Sequence, residues 1–273
     1  MKKLLLGLTA VTAFAGSAMA ADMAPRTYAK APAPVYSPVY NWGGFYMGLN
    51  GGGGTAHKCW DLTAVGLNNA PVTPSQAEGC HNATGGTFGG QVGYRWQASN
   101  WVFGLEAQGN WANFKGSNVN QSQAIARVPL AVNDLTKMDA FGLFTGQVGY
   151  AVNNVLIYAK GGAAVVHDKY KNTFTSAALI VQQGQAFAGQ TFAAGSETRW
   201  GGTAGAGVEF GFAPNWSLAL EYDHLFMGRK SVTFNLVAPQ GPGISATHAI
   251  SQDVDVGTVR LNYTFGGPVV ARY

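Results

Sequence analysis

Residues 253–265 read DVDVGTVRLNYTF. Val259, Leu261, Tyr263 and Phe265 share one parity, and Thr258, Arg260, Asn262 and Thr264 share the other. Side chains on a β-strand point alternately to opposite faces, so this stretch is a strand with one greasy face and one wet face. The pattern recurs eight times, over 43–53, 85–96, 101–114, 138–150, 155–166, 198–212, 216–226 and 253–265. The stretches between these strands alternate strictly in length. Those over 54–84, 115–137, 167–197 and 227–252 are long, and those over 97–100, 151–154 and 213–215 are short.

That rhythm decides which face is outside. A strand barrel in a bacterial outer membrane has an even strand number, short turns at its periplasmic end and long loops at the other. A water-soluble barrel has no reason to collect every long connection at one end. The reading is therefore an all-β fold, an eight-stranded antiparallel up-and-down transmembrane β-barrel with its greasy face in lipid. Trp96, Trp101, Tyr150, Phe212, Trp216 and Phe265 fall beside the short turns, where an aromatic girdle belongs.

The start of the chain agrees. Lys2 and Lys3, the apolar run over 4–15 and Ala18-Met19-Ala20 have the three parts of a secretory signal, with cleavage expected after Ala20. The apolar run is too short to span a bilayer as a helix. Residues 21–42 carry Pro25, Pro32, Pro34 and Pro38 and read as an extended periplasmic arm. Residues 43–273 form the barrel domain.

Composition narrows the function classes. The chain has 38 Gly, 15 Phe, 11 Tyr and 7 Trp, and charged residues are only 11% of it. A soluble domain would carry about 25% charged residues. The net charge of +4 includes Lys2 and Lys3, and no Lys/Arg run accompanies it, so a nucleic-acid partner is excluded. The expected partners are outer-membrane lipid, lipopolysaccharide and the barrel assembly machinery. Phe265 and Tyr273 are the alternative C-terminal assembly signals.

Parity also assigns the interior. Arg95, Glu106, Gln108, Gln147, Lys160, Glu209, Glu221 and Arg260 oppose the greasy positions. An eight-stranded bore is just wide enough for side chains to fill, and buried ions must pair there. Arg95, Lys160 and Arg260 are thus expected to form a lumen network with Glu106, Glu209 and Glu221. This network would act as a structural lock, or alternatively as a gate for a narrow ion path.

Cys59 and Cys80 lie in the first long connection. In an oxidising compartment a disulfide is the expectation. The alternative is a four-ligand metal site with His57 and His81. His167, His224 and His248, together with these two, offer possible haem or metal ligands in the outer loops. No cofactor and no catalytic residue is assigned. Asp223-His224 beside Ser217 or Ser231 is the nearest approach to a hydrolytic group. Adjacent strand residues face opposite ways, and no G-x-S-x-G motif is present.

The segments APVYSPVYNWGGFYMGLNGGG (33–53) and VGTVRLNYTFGGPVVARY (256–273) resemble the alphaproteobacterial outer-membrane immunogenic proteins, with Asn41-Trp42-Gly43-Gly44-Phe45-Tyr46 the most specific piece. These are porin-like barrels similar in architecture to the membrane domain of outer membrane protein A. The resemblance implies an abundant, surface-exposed integral outer-membrane barrel with envelope-integrity and antigenic roles. In some members it implies haem binding. It supplies no catalytic residues. Two other functions are carried as alternatives: a low-conductance porin for small solutes, and a haem- or host-binding adhesin acting through the outer loops.

Overall fold

The computed structural model describes residues 40–121, 132–175, 189, 191–236 and 245–266. The expected signal sequence, most of the arm and the Tyr273 terminus lie outside the described residues. Eight strands close on themselves in sequence order, each antiparallel to its neighbours. They are β1 (Gly44–Gly66), β2 (Ala70–Ala98), β3 (Trp101–Val119), β4 (Val132–Val152), β5 (Val155–Phe174), β6 (Thr191–Ala213), β7 (Trp216–Leu236) and β8 (Ser245–Phe265). Phe45 pairs with Phe265, so the first and last strands close the wall.

The periplasmic turns are as short as expected. Asn153 and Asn215 adopt positive φ, a conformation that asparagine tolerates because its short side chain bonds locally. Each turn is also tied to the next hairpin. Asn100, Asn154 and Asn215 accept backbone N–H bonds from Ala151, Gly211 and Thr264.

The strands run much further than the sequence reading placed them. They are 19 to 29 residues long, against the ~10 needed to cross a bilayer. Most of what reads as long outer loops is strand; β1 and β2 are joined by residues 67–69 alone. The reason lies in a change of polarity partway up the wall. In β8 the lower half points Val259 and Leu261 out and Thr258, Arg260 and Asn262 in. Above Gly257 the same strand points Val254, Val256 and Ile250 in, and Asp253 outward. β1 does the same: Met47 and Leu49 face out below, while Trp60 and Leu62 face in above. The lower part is built for lipid and the upper part for water. A search for one fixed greasy face therefore stops at the crossover.

Two aromatic rings mark the lipid-facing part. The lower one includes Trp101 and Tyr150, 5.3 Å apart, and Trp216 and Tyr263, 5.0 Å apart. The upper one includes Phe88, Trp111, Phe226 and the stacked pair Phe144 and Trp200. Trp101 and Trp111 are ten residues apart on β3. At ~3.3 Å per residue and ~40° tilt they span about 25 Å of height, the thickness of a barrel's apolar band.

Candidate functional site in the barrel lumen

Inside the lipid-facing part, Arg95, Glu106, Lys160, Glu209, Glu221 and Arg260 are each at most 5% exposed. The structure brings them together in two groups. In the first, Arg95 Nη2 lies 2.7 Å from Glu209 Oε2. Glu209 Oε1 accepts from Ser217 Oγ and, at 2.9 Å, from Asn262 Nδ2. Arg95 also sits 4.2 Å from the centroid of the Tyr46 ring, a cation–π contact that satisfies part of a guanidinium otherwise short of acceptors.

In the second group Arg260 bridges Glu106 and Glu221, bonding one carboxylate oxygen of each. Lys160 Nζ lies 2.7 Å from Glu221 and 3.3 Å from Glu106. Tyr46 and Tyr158 each donate to one of the two carboxylates at 2.6 Å. Room for these two rings comes from glycine. A Cβ at Gly93 would stand 2.6 Å from the Tyr46 ring, and one at Gly207 would stand 2.5 Å from the Tyr158 hydroxyl. A further chain of amides, Gln91 to Asn262 and Asn50 to Gln91, extends the polar layer around the wall.

Asp223 joins this group, 3.4 Å from Lys160. The sequence reading considered it only as a catalytic acid and left it out of the lumen. Its parity with Glu221, two residues away on β7, was the available signal. Asp223 is buried while His224 turns to the outer wall, where its Nδ1 lies 2.7 Å from Asp255. Among the described residues no serine or cysteine bonds the His224 ring.

The lumen is not filled by charge alone, as the sequence reading had it. Beneath the charged layer, Trp42, Val102, Leu156 and Tyr158 form an apolar plug at the turn end. Trp42, placed by sequence at the end of the arm, is fully buried there, and its backbone N–H donates to Gln97 at 2.8 Å. Tyr40 packs beside Trp42, ring centroids 4.4 Å apart. Above the charges, Phe114, Met138, Phe141, Leu143, Val166, Leu225, Met227 and Val254 pack into an apolar cluster inside the bore. Higher still, a buried Lys58–Asp168 pair at 2.6 Å and an outer apolar layer around Trp60, Phe174, Phe192, Phe234 and Ile250 follow. Lys58 and Asp168 were missed because their segments read as loops.

The outer end holds a second acidic group. Glu78 and Asp134 are both fully buried and share the amide of Asn120, 2.9 and 3.0 Å away. Asn172 donates to Asp134, and His248 Nδ1 lies 2.6 Å from Glu78. These residues stand well above the upper aromatic ring. Burial, and next the Glu78 carboxylate, pushes the Asp134 carboxyl well above its ordinary range.

Cys59 and Cys80 face each other directly on β1 and β2, Cα atoms 4.1 Å apart, and are joined by a disulfide. It sits on the outer wall of the water-facing extension. His57 Nε2 lies 3.5 Å from Cys59 Sγ, but His81 turns into the lumen, bonding Asn118 and Thr136. The sulfurs of a disulfide offer no thiolate, and the two histidines lie on opposite faces, so the four-ligand arrangement is not assembled. The five histidines as a whole are dispersed. His81 and His248 flank Trp60 inside, while His57, His167 and His224 lie outside.

Residues 6–265 match the family described as outer membrane protein beta-barrel domain. The chain belongs to the outer membrane protein beta-barrel family. It is an integral protein of the bacterial outer membrane. As a member of this family it is 31% identical, over 239 residues, to the 31 kDa outer-membrane immunogenic protein of Brucella melitensis, covering 85% of this chain and 90% of that one. The protein of the same name from Brucella suis matches equally. Among solved structures, the family member is similar to the outer membrane protein OprG from Pseudomonas aeruginosa. That match has 13% identity and a TM-score of 0.43 over 82% of this chain and 97% of the other. The outer membrane protease OmpT from Escherichia coli aligns at 8% identity and a TM-score of 0.41, over 81% and 97% of the two chains.

Proposed function

We propose that this barrel is a structural and antigenic component of the outer membrane, without enzymatic activity, whose lumen is locked shut. The observation that carries this reading is the layering of the interior. An ion crossing the bore would meet the Trp42 plug, the Arg260 network and the Phe114–Phe141 layer in turn. Placing an ion among these apolar side chains costs several kcal/mol, and no rearrangement of the charge pairs below removes that layer. The gate and low-conductance porin readings ask the charge network to open a path that the layer above it would still block.

The antigenic part of the reading draws on the upper extension, stapled by Cys59–Cys80, and on the name of the Brucella relatives. The separation of Asp223 from His224, and the dispersal of the histidines over two faces, support neither a hydrolytic nor a haem site. Single-channel recording in planar bilayers tests the proposal. The expected trace shows no steady conductance from the folded protein; a steady conductance that disappears when the protein is heat-unfolded would overturn it.

A further inference from the structure

On the outer wall, just above the upper aromatic ring, three lysines stand side by side. Lys115 on β3 pairs directly with Lys137 on β4, and Lys137 pairs directly with Lys169 on β5. All three are exposed, as is Lys171, two residues further along β5. Directly opposed like charges on one face of a sheet are destabilising, so a row of three calls for a counter-charge. The protein supplies little. Asp139 lies 2.6 Å from Lys169 and is shared with His167 at 3.9 Å. Among the described residues, Lys115, Lys137 and Lys171 make no ion pair.

The position of the row names its partner. Trp111 lies four residues below Lys115 on the same face of β3. Trp200 pairs with Val165, four residues below Lys169. At ~3.3 Å per residue and ~40° tilt, the lysines stand about 10 Å above the aromatic ring, within reach of the headgroup layer once their long stems bend down. The row faces sideways over lipid rather than upward into solvent. It is also one-sided. The outward acids Asp61, Asp253 and Asp255 lie on β1 and β8, across the barrel.

We propose that Lys115, Lys137 and Lys169, supported by Lys171, dock the phosphate groups of an outer-leaflet lipopolysaccharide molecule on the β3–β5 side of the barrel. This rests on the placement of the chain in the outer membrane, and it is independent of whether the lumen conducts. The missing counter-charge is then supplied by the lipid. A single phosphorylated headgroup would also span three adjacent strands, β3 to β5.

The test uses the full chain, folded in detergent, with diphosphorylated lipid A as the probe. Dephosphorylated lipid A and inorganic phosphate serve as the other two arms. Binding is followed by native mass spectrometry, and folding by heat-modifiable gel migration. K115Q/K137Q/K169Q is expected to bind lipid A ~100-fold more weakly, at about fivefold per lysine, while keeping the folded gel position. R229Q/K230Q on β7 should bind as the wild type does. D139N, which frees Lys169, should bind more tightly. Should the triple variant fail to fold, K137Q alone is expected to lose about fivefold. Unchanged affinity in the lysine variants would overturn the proposal. So would equal binding of dephosphorylated lipid A, or binding of inorganic phosphate as tight as that of the lipid.

Discussion

Arg260 shows how the lumen is held at the scale of one residue. Its guanidinium bonds Glu106 and Glu221 at once, from strands on either side of the bore. Removing it leaves two buried carboxylates facing a single Lys160, and breaking a buried ion pair by losing one partner costs about 3–5 kcal/mol. Arg260→Met is therefore expected to lower the temperature at which the folded gel band converts to the unfolded one by several degrees. Arg260→Lys keeps the charge but cannot reach both carboxylates with a planar fork, so it should fall between the two. A variant as heat-resistant as the wild type would show that the network contributes nothing to folding. This residue was legible in the sequence because parity alone puts it inside. Its partners were not, because a strand pattern gives the face of a residue but not the angular position of its strand around the bore. Asp223 shows the same limit: its side was readable, but its distance from Lys160 was not.

At the scale of an element, β8 carries the main lesson about what the sequence showed. In 253–265 the greasy parity changes at Gly257: Val254 and Val256 are even-numbered, Val259 and Leu261 odd. The segment that identified the barrel thus also contained the boundary between lipid and water. Only its lower half matches a lipid-facing strand, so the upper halves of all eight strands read as loops. In the water-facing half, stability must come from its own inner face and its cross-links. Loss of the Cys59–Cys80 bond, whose ends are 21 residues apart, should cost that half roughly 3 kcal/mol. In C59S/C80S, amide exchange should speed up around residues 56–64 and 76–83, while exchange near Arg95 and Arg260 and the heat-modifiable shift stay unchanged. Equal protection of the upper β1–β2 amides in both proteins would refute this. The Glu78–Asp134 group adds a pH dependence. A carboxyl whose folded value is raised contributes stability that is complete below its unfolded value, near 4, and is lost as pH rises through the folded one. The outer end should therefore be better protected from exchange at about pH 5 than at about pH 8. Asp134→Asn should flatten that difference, since Glu78 and His248 then face a neutral amide. A pH profile unaltered by D134N would place its origin elsewhere.

For the whole molecule, layering separates two roles that a charged lumen could play. If the ion pairs were a gate, weakening one layer would open a path. If the layers are a packed core that happens to lie inside a membrane barrel, weakening one layer would lower stability and leave the bore shut, because barriers in series must all be removed before current flows. Phe114→Ala combined with Phe141→Ala distinguishes these cases. Both rings are buried in the apolar cluster above the charges, and truncating a buried phenylalanine costs about 3–5 kcal/mol. The double variant is expected to unfold at a markedly lower temperature in the gel assay and to pass no steady current in planar bilayers, since the Arg260 network and the Trp42 plug remain. Arg260→Met, which weakens the charged layer instead, should be silent as well. A steady current from either variant, absent from the wild type, would mean that one layer alone controls the path and that the lumen is a gate rather than a lock. The expectation of silence rests on the order of the layers: the Arg260 network and the Lys58–Asp168 pair each have an apolar cluster on both sides that no exchange of ion pairs can move.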